Sequence, residues 1–285
     1  MPELPEVEYV RRMLEPVMVG ARIERVVARR PTLRYPLGSS FVRRLEGQRV
    51  RAVERRAKYL TVSLGSGDTL VMHLGMSGWF RVIAGPAAFD GAQARKAGHD
   101  VGLLETHDHV VFEMSSGAVV IFNDPRRFGF MKVLTPRALA MDSALAALGP
   151  DPLDAAFTAD VLVSRVKCTR KASLKTMLLD QRVVAGIGNI YACEALHRAR
   201  VSPRRRGAAL ATPLGLPRES AGKLVEAIKA CLRDAIARSH RAGGQDRFLV
   251  YDREGERCRR RACTGVIRRI VQAGRSTFYC PVCQR

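Results

Sequence analysis

The sequence predicts an α+β chain: a β-sandwich or barrel-like first domain, a helical second domain and a C-terminal four-cysteine metal module. Three observations predict it. Short β-branched segments separated by turn signals fill the first 123 residues, helical periodicity takes over beyond residue 152, and Cys258, Cys263, Cys280 and Cys283 crowd the end. At 285 residues there is room for two compact units, each with its own core.

The elements follow in order. Val7, Val10, Met13, Leu14 and Val17 recur at helical spacing, so a helix over 7–16 follows a turn at Pro5. Strands are predicted over 22–28, 49–55, 59–64, 69–74, 79–83, 109–114 and 118–123, with hairpin turns at 65–68 and 115–117. Gly149, Pro150, Asp151 and Pro152 interrupt both helix and strand and read as a hinge. Helices are predicted over 159–165, 174–180, 190–198 and 218–240, and a hairpin between the cysteine pairs. The division expected is a first domain over 1–135, a linker over 136–152, a helical domain over 153–245 and a metal module over 246–285.

The net charge of +21, from 48 Lys and Arg against 27 Asp and Glu, points to an anionic partner. Nucleic acid is the commonest, with a membrane surface as the rival. No apolar run is long enough to span a bilayer, and Glu3, Glu6 and Glu8 stand where a signal peptide would be basic and then apolar. A cytoplasmic protein with no membrane partner is expected.

Seven cysteines, an odd count, argue against a complete disulfide framework. Cys168, Cys193 and Cys231 read as small buried apolar residues. The spacing Cys258-x4-Cys263-x16-Cys280-x2-Cys283 matches a zinc ribbon: four thiolates close a tetrahedral site and leave no position for water, so the metal is structural. Arg268, Arg269 and Arg275 on the intervening hairpin suit phosphate, although a basic run by itself also suits plain solvent.

Two further stretches have two readings each. Gly186 and Gly188 bracket Ile187 just before a helix, which fits either an anion at the helix N-terminus or a tight packing turn. A dinucleotide fingerprint is excluded, since the third glycine and the preceding strand are missing. The opening Met-Pro-Glu is either an ordinary start or a nucleophile. Removal of Met1 would leave Pro2 as a secondary amine, and an α-amino group titrates near 8 against about 10.4 for lysine, so far more of it is unprotonated at neutral pH. Such an amine attacking a sugar carbon gives a cationic iminium, with Glu3 beside it to move protons.

Taken together, the chain resembles the formamidopyrimidine-DNA glycosylase family. The matching stretches are Met-Pro-Glu-Leu-Pro-Glu-Val-Glu at 1–8, Arg-Ala-Lys-Tyr-Leu at 56–60, His-Leu-Gly-Met-Ser-Gly at 73–78 and His-Asp-His-Val at 107–110. Further along come Asn-Asp-Pro-Arg-Arg-Phe-Gly at 123–129, Gly-Ile-Gly-Asn-Ile-Tyr at 186–191 and Gly-Arg-Ser-Thr-Phe-Tyr-Cys at 274–280. The resemblance implies a helix-two-turn-helix second domain and a base-excision repair enzyme that removes oxidised purines and then cuts the strand by β,δ-elimination. By that resemblance Pro2 attacks C1′, Glu3 protonates the ring oxygen, Lys58 assists β-elimination, and Arg275 serves phosphate binding and δ-elimination. His107, Arg126, Lys171, Lys175 and Asn189 match DNA contacts. Met76, Arg126 and Phe128 match a wedge that fills the gap left by the flipped base. One structural Zn2+ per chain, no organic cofactor, damaged double-stranded DNA as partner, a monomeric state and a bacterial, nucleoid-associated location are implied as well.

Two departures stand out. Four residues rather than the family's usual two separate Cys258 from Cys263, which leaves the ligand count intact. Only residues 245–249 lie between Gly243-Gly244 and Val250-Tyr251, where the family carries a long loop over the flipped base, so weaker discrimination for 8-oxoguanine relative to ring-opened purines is expected. The alternatives are an endonuclease VIII-like enzyme for oxidised pyrimidines, against which Leu4 argues, and a non-catalytic DNA-binding zinc protein. The latter predicts loss of Pro2, Glu3 or Lys58, all of which are present.

Overall fold

A computed structural model describes residues 2–83, 105–166, 171–239 and 248–285; residues 245–247 of the short loop and Cys168 lie outside these. The chain forms two compact units, one of Pro2 and residues 6–146, the other of Glu3–Pro5 and residues 147–285.

In the first unit, helix α1 (Leu4–Met18) begins earlier than the apolar periodicity indicates. Pro5 therefore sits in the first turn, where a missing N–H leaves no helical hydrogen bond unmade. Val7, Val10, Leu14 and Met18 are buried along one face. On another flank the Glu8 carboxylate pairs with Arg11, Arg12 and Arg55.

Two antiparallel four-stranded sheets follow. One has the order β1 (Ile23–Ala28), β6 (Asp108–Met114), β7 (Val119–Asn123), β5 (Trp79–Ile83), and the other β2 (Val50–Arg56), β3 (Tyr59–Leu64), β4 (Thr69–His73), β8 (Phe130–Leu134). Ile23, Val110, Phe112 and Phe122 from the first and Val53, Leu60, Val62 and Met72 from the second share one core, which makes the unit a β-sandwich. Strand β3 alternates half-buried Tyr59, Thr61 and Ser63 with buried Leu60, Val62 and Leu64, the period of a one-sided strand. The predicted turns 65–68 and 115–117 join β3 to β4 and β6 to β7. Strand β8 was not expected from periodicity; it pairs with β4. Short helices α2 (Phe41–Leu45), α3 (Pro136–Ala140) and α4 (Ser143–Ala146) complete the unit.

The second unit packs α5 (Ala159–Val166), α6 (Leu174–Leu179), α7 (Asn189–Arg198) and α8 (Glu219–Ser239) around a core that includes Leu162, Leu178, Val184, Leu196, Leu224 and Leu232. The residues read as a hinge are tied into this unit: Gly149 N–H donates to Gln181 O and Ala185 N–H to Pro150 O. A Cβ on Gly149 would lie 2.5 Å from Arg182 O, so glycine is required there for close approach. The chain ends in a small second core of Cys193, Val250, Cys258, Ile267, Phe278 and Cys280, roofed by the hairpin of β9 (Arg268–Gln272) and β10 (Arg275–Tyr279). Among the described residues no helix is long and apolar enough to cross a membrane.

Candidate functional site

The Gly186-Ile187-Gly188 turn resolves the choice left open by the sequence. The anion at the N-terminus of α7 is the protein's own Glu3. Its carboxylate accepts hydrogen bonds from the backbone N–H of Gly188 (2.8 Å), Ile190 (2.8 Å) and Tyr191 (3.3 Å), while Leu4 N–H donates to Gly186 O. The first-turn N–H groups of a helix have no intrahelical acceptor and carry partial positive charge, so they stabilise a buried carboxylate there. Both glycines are needed for approach. A Cβ on Gly188 would meet the Glu3 carboxyl carbon at 2.3 Å, and one on Gly186 would meet Leu4 Cδ1 at 2.6 Å. Glu3 is 1% exposed.

The next residue, Asn189, opens α7 and joins it to the hairpin. Its Nδ2 donates to Ser276 O at 3.0 Å, and its Oδ1 accepts from Lys175 Nζ, which also reaches Ser276 O. Lys175 is fully buried; burial, with Arg275 nearby, holds its ammonium below the usual lysine range. The side chain is thus committed to the hairpin tip. Ala273 and Gly274 form the two-residue turn with φ of 48° and 71°, the conformation that matches the twist of a hairpin. Arg275 follows the turn and is exposed, and Lys171 is exposed in the segment before α6.

Met76, Arg126 and Phe128 are brought together on two loops of the first unit. Arg126 stacks its guanidinium over the Phe128 ring at 4.8 Å, and all three side chains are exposed. The loops touch backbone to backbone: a Cβ on Gly75, at φ 64°, would lie 2.3 Å from Gly129 N. Asp124, wholly buried and missed in the sequence reading, clamps them. Its Oδ1 accepts from Ser77 Oγ (2.6 Å), its Oδ2 from Gly129 N–H (2.7 Å), and its backbone O is bound by His109 Nε2 (2.9 Å). Ser77 Oγ also accepts from Arg126 N–H. Asp124 N–H donates to His107 O, which fixes the backbone of exposed His107. An Asn-Asp-Pro turn read for side-chain hydrogen bonds rather than for charge would have flagged Asp124.

Lys58 is buried, at the turn between β2 and β3, in the same unit as Pro2. Nearby His73 stacks on Phe130 and accepts the Gly75 N–H on Nδ1 at 3.0 Å. Burial, helped by the charges of Lys58 and Arg34, pushes the His73 imidazole down to about 4 from 6.5. Between those two values the unfolded chain takes up a proton that the folded chain refuses, so stability rises with pH across the window and is level above it. The expected contribution is about 3 kcal/mol. His73→Asn keeps an acceptor for Gly75 N–H, and it should lessen the slope of the unfolding free energy from pH 4 to 6.5 by the share of one imidazole, His197 being depressed over the same range. An unchanged slope would contradict this assignment.

The four C-terminal cysteines converge, with all Sγ atoms within 4.8 Å of one another. The Cys258–Cys283 and Cys263–Cys280 sulfurs lie 3.9 and 3.6 Å apart. Disulfides would need about 2.05 Å. A tetrahedral zinc with bonds of about 2.3 Å has sulfur–sulfur edges of about 3.8 Å, so the donor set fits zinc and the longer Cys258-x4-Cys263 knuckle is accommodated. His197 and Glu194, both on α7 and both missed from sequence, face this module.

Comparison with known proteins gives a consistent result over the whole chain. Residues 1–131 match the formamidopyrimidine-DNA glycosylase N-terminal domain, 148–245 its H2TH domain, and 255–285 a zinc finger found in that enzyme and in isoleucyl-tRNA synthetase. The chain is 55% identical over 298 residues to a formamidopyrimidine-DNA glycosylase of Rhodopseudomonas palustris (strain BisB18), and 54% identical over 297 residues to one of Nitrobacter winogradskyi. Both alignments cover 100% of each chain. Among solved structures it is similar to the Lactococcus lactis enzyme bound to abasic-site DNA, with a TM-score of 0.82, 30% identity and 99% of both chains covered. It is equally similar to the same enzyme in complex with DNA containing FAPY-dG, at a TM-score of 0.82 and 30% identity, covering 99% of this chain and 100% of that one.

Proposed function

The chain belongs to the formamidopyrimidine-DNA glycosylase family, and from that premise we propose how its own residues do the chemistry. It is a bifunctional DNA glycosylase and abasic-site lyase of base-excision repair that removes oxidised purines, works as a monomer on damaged duplex DNA and carries one structural zinc. The Pro2 amine attacks C1′ of the damaged nucleotide and the C1′–base bond breaks, the base leaving with the proton given up by the amine; Glu3 then protonates O4′, the C1′–O4′ bond breaks, and an iminium is left at Pro2. That cation withdraws electrons from C2′, a proton is lost there, and the 3′-phosphate leaves by β-elimination; the 5′-phosphate follows by δ-elimination. Lys58 assists the first elimination, and Arg275 at the hairpin tip serves the second. Met76, Arg126 and Phe128 fill the space of the flipped base, while His107, Lys171, Lys175 and Asn189 bind or support binding of the backbone. In this division of labour the first domain, 1–135, supplies Pro2, Lys58 and the wedge, the helical domain, 153–245, the clamp, and the module over 246–285 the hairpin that carries Arg275; the stretch over 136–152, read as a linker, is packed into the two units on either side of residue 146. The reaction runs in the bacterial cytoplasm, at the nucleoid.

One observation carries this reading: the carboxylate next to Pro2 is held by three backbone N–H donors in a buried cradle. A proton-transfer group so fixed is placed before substrate arrives. Borohydride trapping on duplexes containing a ring-opened purine or 8-oxoguanine, with an oxidised pyrimidine as comparison, tests the function. A cross-link mapping to the N-terminal peptide, formed best on the purine lesions, is expected. A cross-link on lysine, or preference for the pyrimidine, would overturn it.

Glu3→Gln gives a second expected outcome. The amide keeps one oxygen but turns an NH2 toward backbone N–H donors, which costs about 1–3 kcal/mol in stability. Loss of the proton-transfer group lowers base excision by about 10²- to 10⁴-fold. Melting temperature and single-turnover excision measured on the same preparation separate the two effects, and near-normal excision would remove Glu3 from the mechanism.

A further inference from the structure

Helix α7 ties the second unit together at three points. Asn189 at its start holds the hairpin tip. Glu194 in its middle accepts the N–H groups of Leu249, Val250 and Tyr251, each at 2.8 to 2.9 Å, fixing the segment that leads into the metal module. Near its end stands His197, 1% exposed. The His197 Nε2 lies 3.3 Å from Cys258 Sγ and 3.7 Å from Cys283 Sγ. Nδ1 is buried with no hydrogen-bond partner among the described residues. Arg260 Nη2 donates to His197 O and so bolts the knuckle after Cys258 to the same helix turn.

From this arrangement we infer that His197 donates a hydrogen bond from Nε2–H to the zinc-bound thiolates of Cys258 and Cys283, and thereby sets how tightly the module keeps its metal. A metal-bound thiolate is an acceptor only, so the nitrogen facing the sulfurs must carry the hydrogen. The tautomer follows: Nδ1 has nothing to donate to, and Nε2 has two acceptors. The four sulfurs, all within 4.8 Å of one another, already supply the four donors of a closed zinc site, and His197 reaches two of them, Cys258 and Cys283, whose sulfurs lie 3.9 Å apart. It therefore acts as a donor to that pair and not as a ligand. Four thiolates on one Zn2+ leave two net negative charges in a small buried core; an N–H aimed at two of them draws off part of that charge. Partners of this kind typically change metal affinity by 10- to 100-fold. His197 is a positioning residue for the zinc site.

The inference rests on the zinc reading, and the experiment separates the two. Wild-type, His197→Phe and His197→Gln chains are purified at full length. Zinc per chain is measured by elemental analysis, and zinc transfer to a chromophoric chelator is followed in time. All three are expected to hold one zinc per chain. His197→Phe, which fills the space without a donor, should release it about 10-fold or more faster, and His197→Gln, which keeps an N–H, should stay close to wild type. Glu194 anchors the module independently of position 197. Should the Phe variant nevertheless fail to fold, cadmium-113 substitution of the wild-type protein tests the hydrogen bond directly, through scalar coupling between the metal and His197 Hε2. Equal release from Phe and wild type, absence of that coupling, or a one-bond coupling from cadmium to Nε2 would each overturn the donor role. Wild-type protein without zinc would instead overturn the zinc reading beneath it.

Discussion

Protein whose Pro2 amine is blocked, by acetylation or by an N-terminal extension that is not removed, should form no borohydride-trapped complex with DNA containing a ring-opened purine. Its base excision should fall on the order of 10⁴-fold or more, the scale on which loss of a covalent catalyst registers. The chemistry leaves little room for substitution. An acylated nitrogen has no lone pair to attack C1′ and cannot become an iminium. Lysine amines titrate about two and a half pH units higher, so at neutral pH their unprotonated fraction is smaller by a factor of about 300. Pro2→Gly restores a primary amine at the same position, and trapping should persist at a reduced rate, which shows that the block acts on the amine and not on the fold. Unimpaired excision by blocked protein, or a cross-link moved to Lys58, would end the proposal. DNA affinity, measured on an uncleavable abasic analogue, should stay within a few-fold of wild type.

The other large effect belongs to the metal. Stripping zinc, or replacing Cys280 with Ser, should unfold residues 255–285 and leave the rest of the molecule folded. Structural zinc contributes about 10–16 kcal/mol to modules of this size, comparable with the whole stability of an ordinary domain. The reason is local. The core beneath the hairpin is six buried residues, and two of them, Cys258 and Cys280, are themselves ligands. Among the described residues, the helical core around α8 and the sandwich core share none with that set. Limited trypsin digestion reports it: exposed arginines such as Arg257, Arg268 and Arg275 become cleavable, while larger fragments survive. On the proposed role of Arg275, unfolding of the hairpin also costs a phosphate contact, and the dependence of log K on log salt should become shallower by about one unit for each phosphate that is no longer neutralised. An unchanged digestion pattern after zinc removal would show that the cysteine cluster is dispensable.

Much of the architecture could be read along the chain. The i, i+2 alternation of β3 and the long amphipathic run of α8 each bury one face, and such periods survive in sequence because solvent enforces them residue by residue. Strand β8 escaped for a physical reason as well. Phe130, Lys132 and Leu134 are only half-buried, and its place in the sheet comes from pairing with β4, some sixty residues earlier. The helix read to begin at Val7 begins at Leu4, because Leu4 is held by Gly186 and by the core around it.

The candidate site divides the same way. The zinc ligands, the amine at Pro2 and the basic hairpin follow from residue type and short spacing, which is all that thiolate geometry and amine chemistry require. Tertiary structure alone decided what fills the helix N-terminus behind Gly188: the Glu3 carboxylate, 185 residues away in the chain. It likewise decided that Asp124 joins two loops and that His197 faces the thiolates. Hydrogen-bond partners so distant in sequence are chosen by where the fold brings their backbones. A motif records the donor or the acceptor, and only the folded chain supplies the other half.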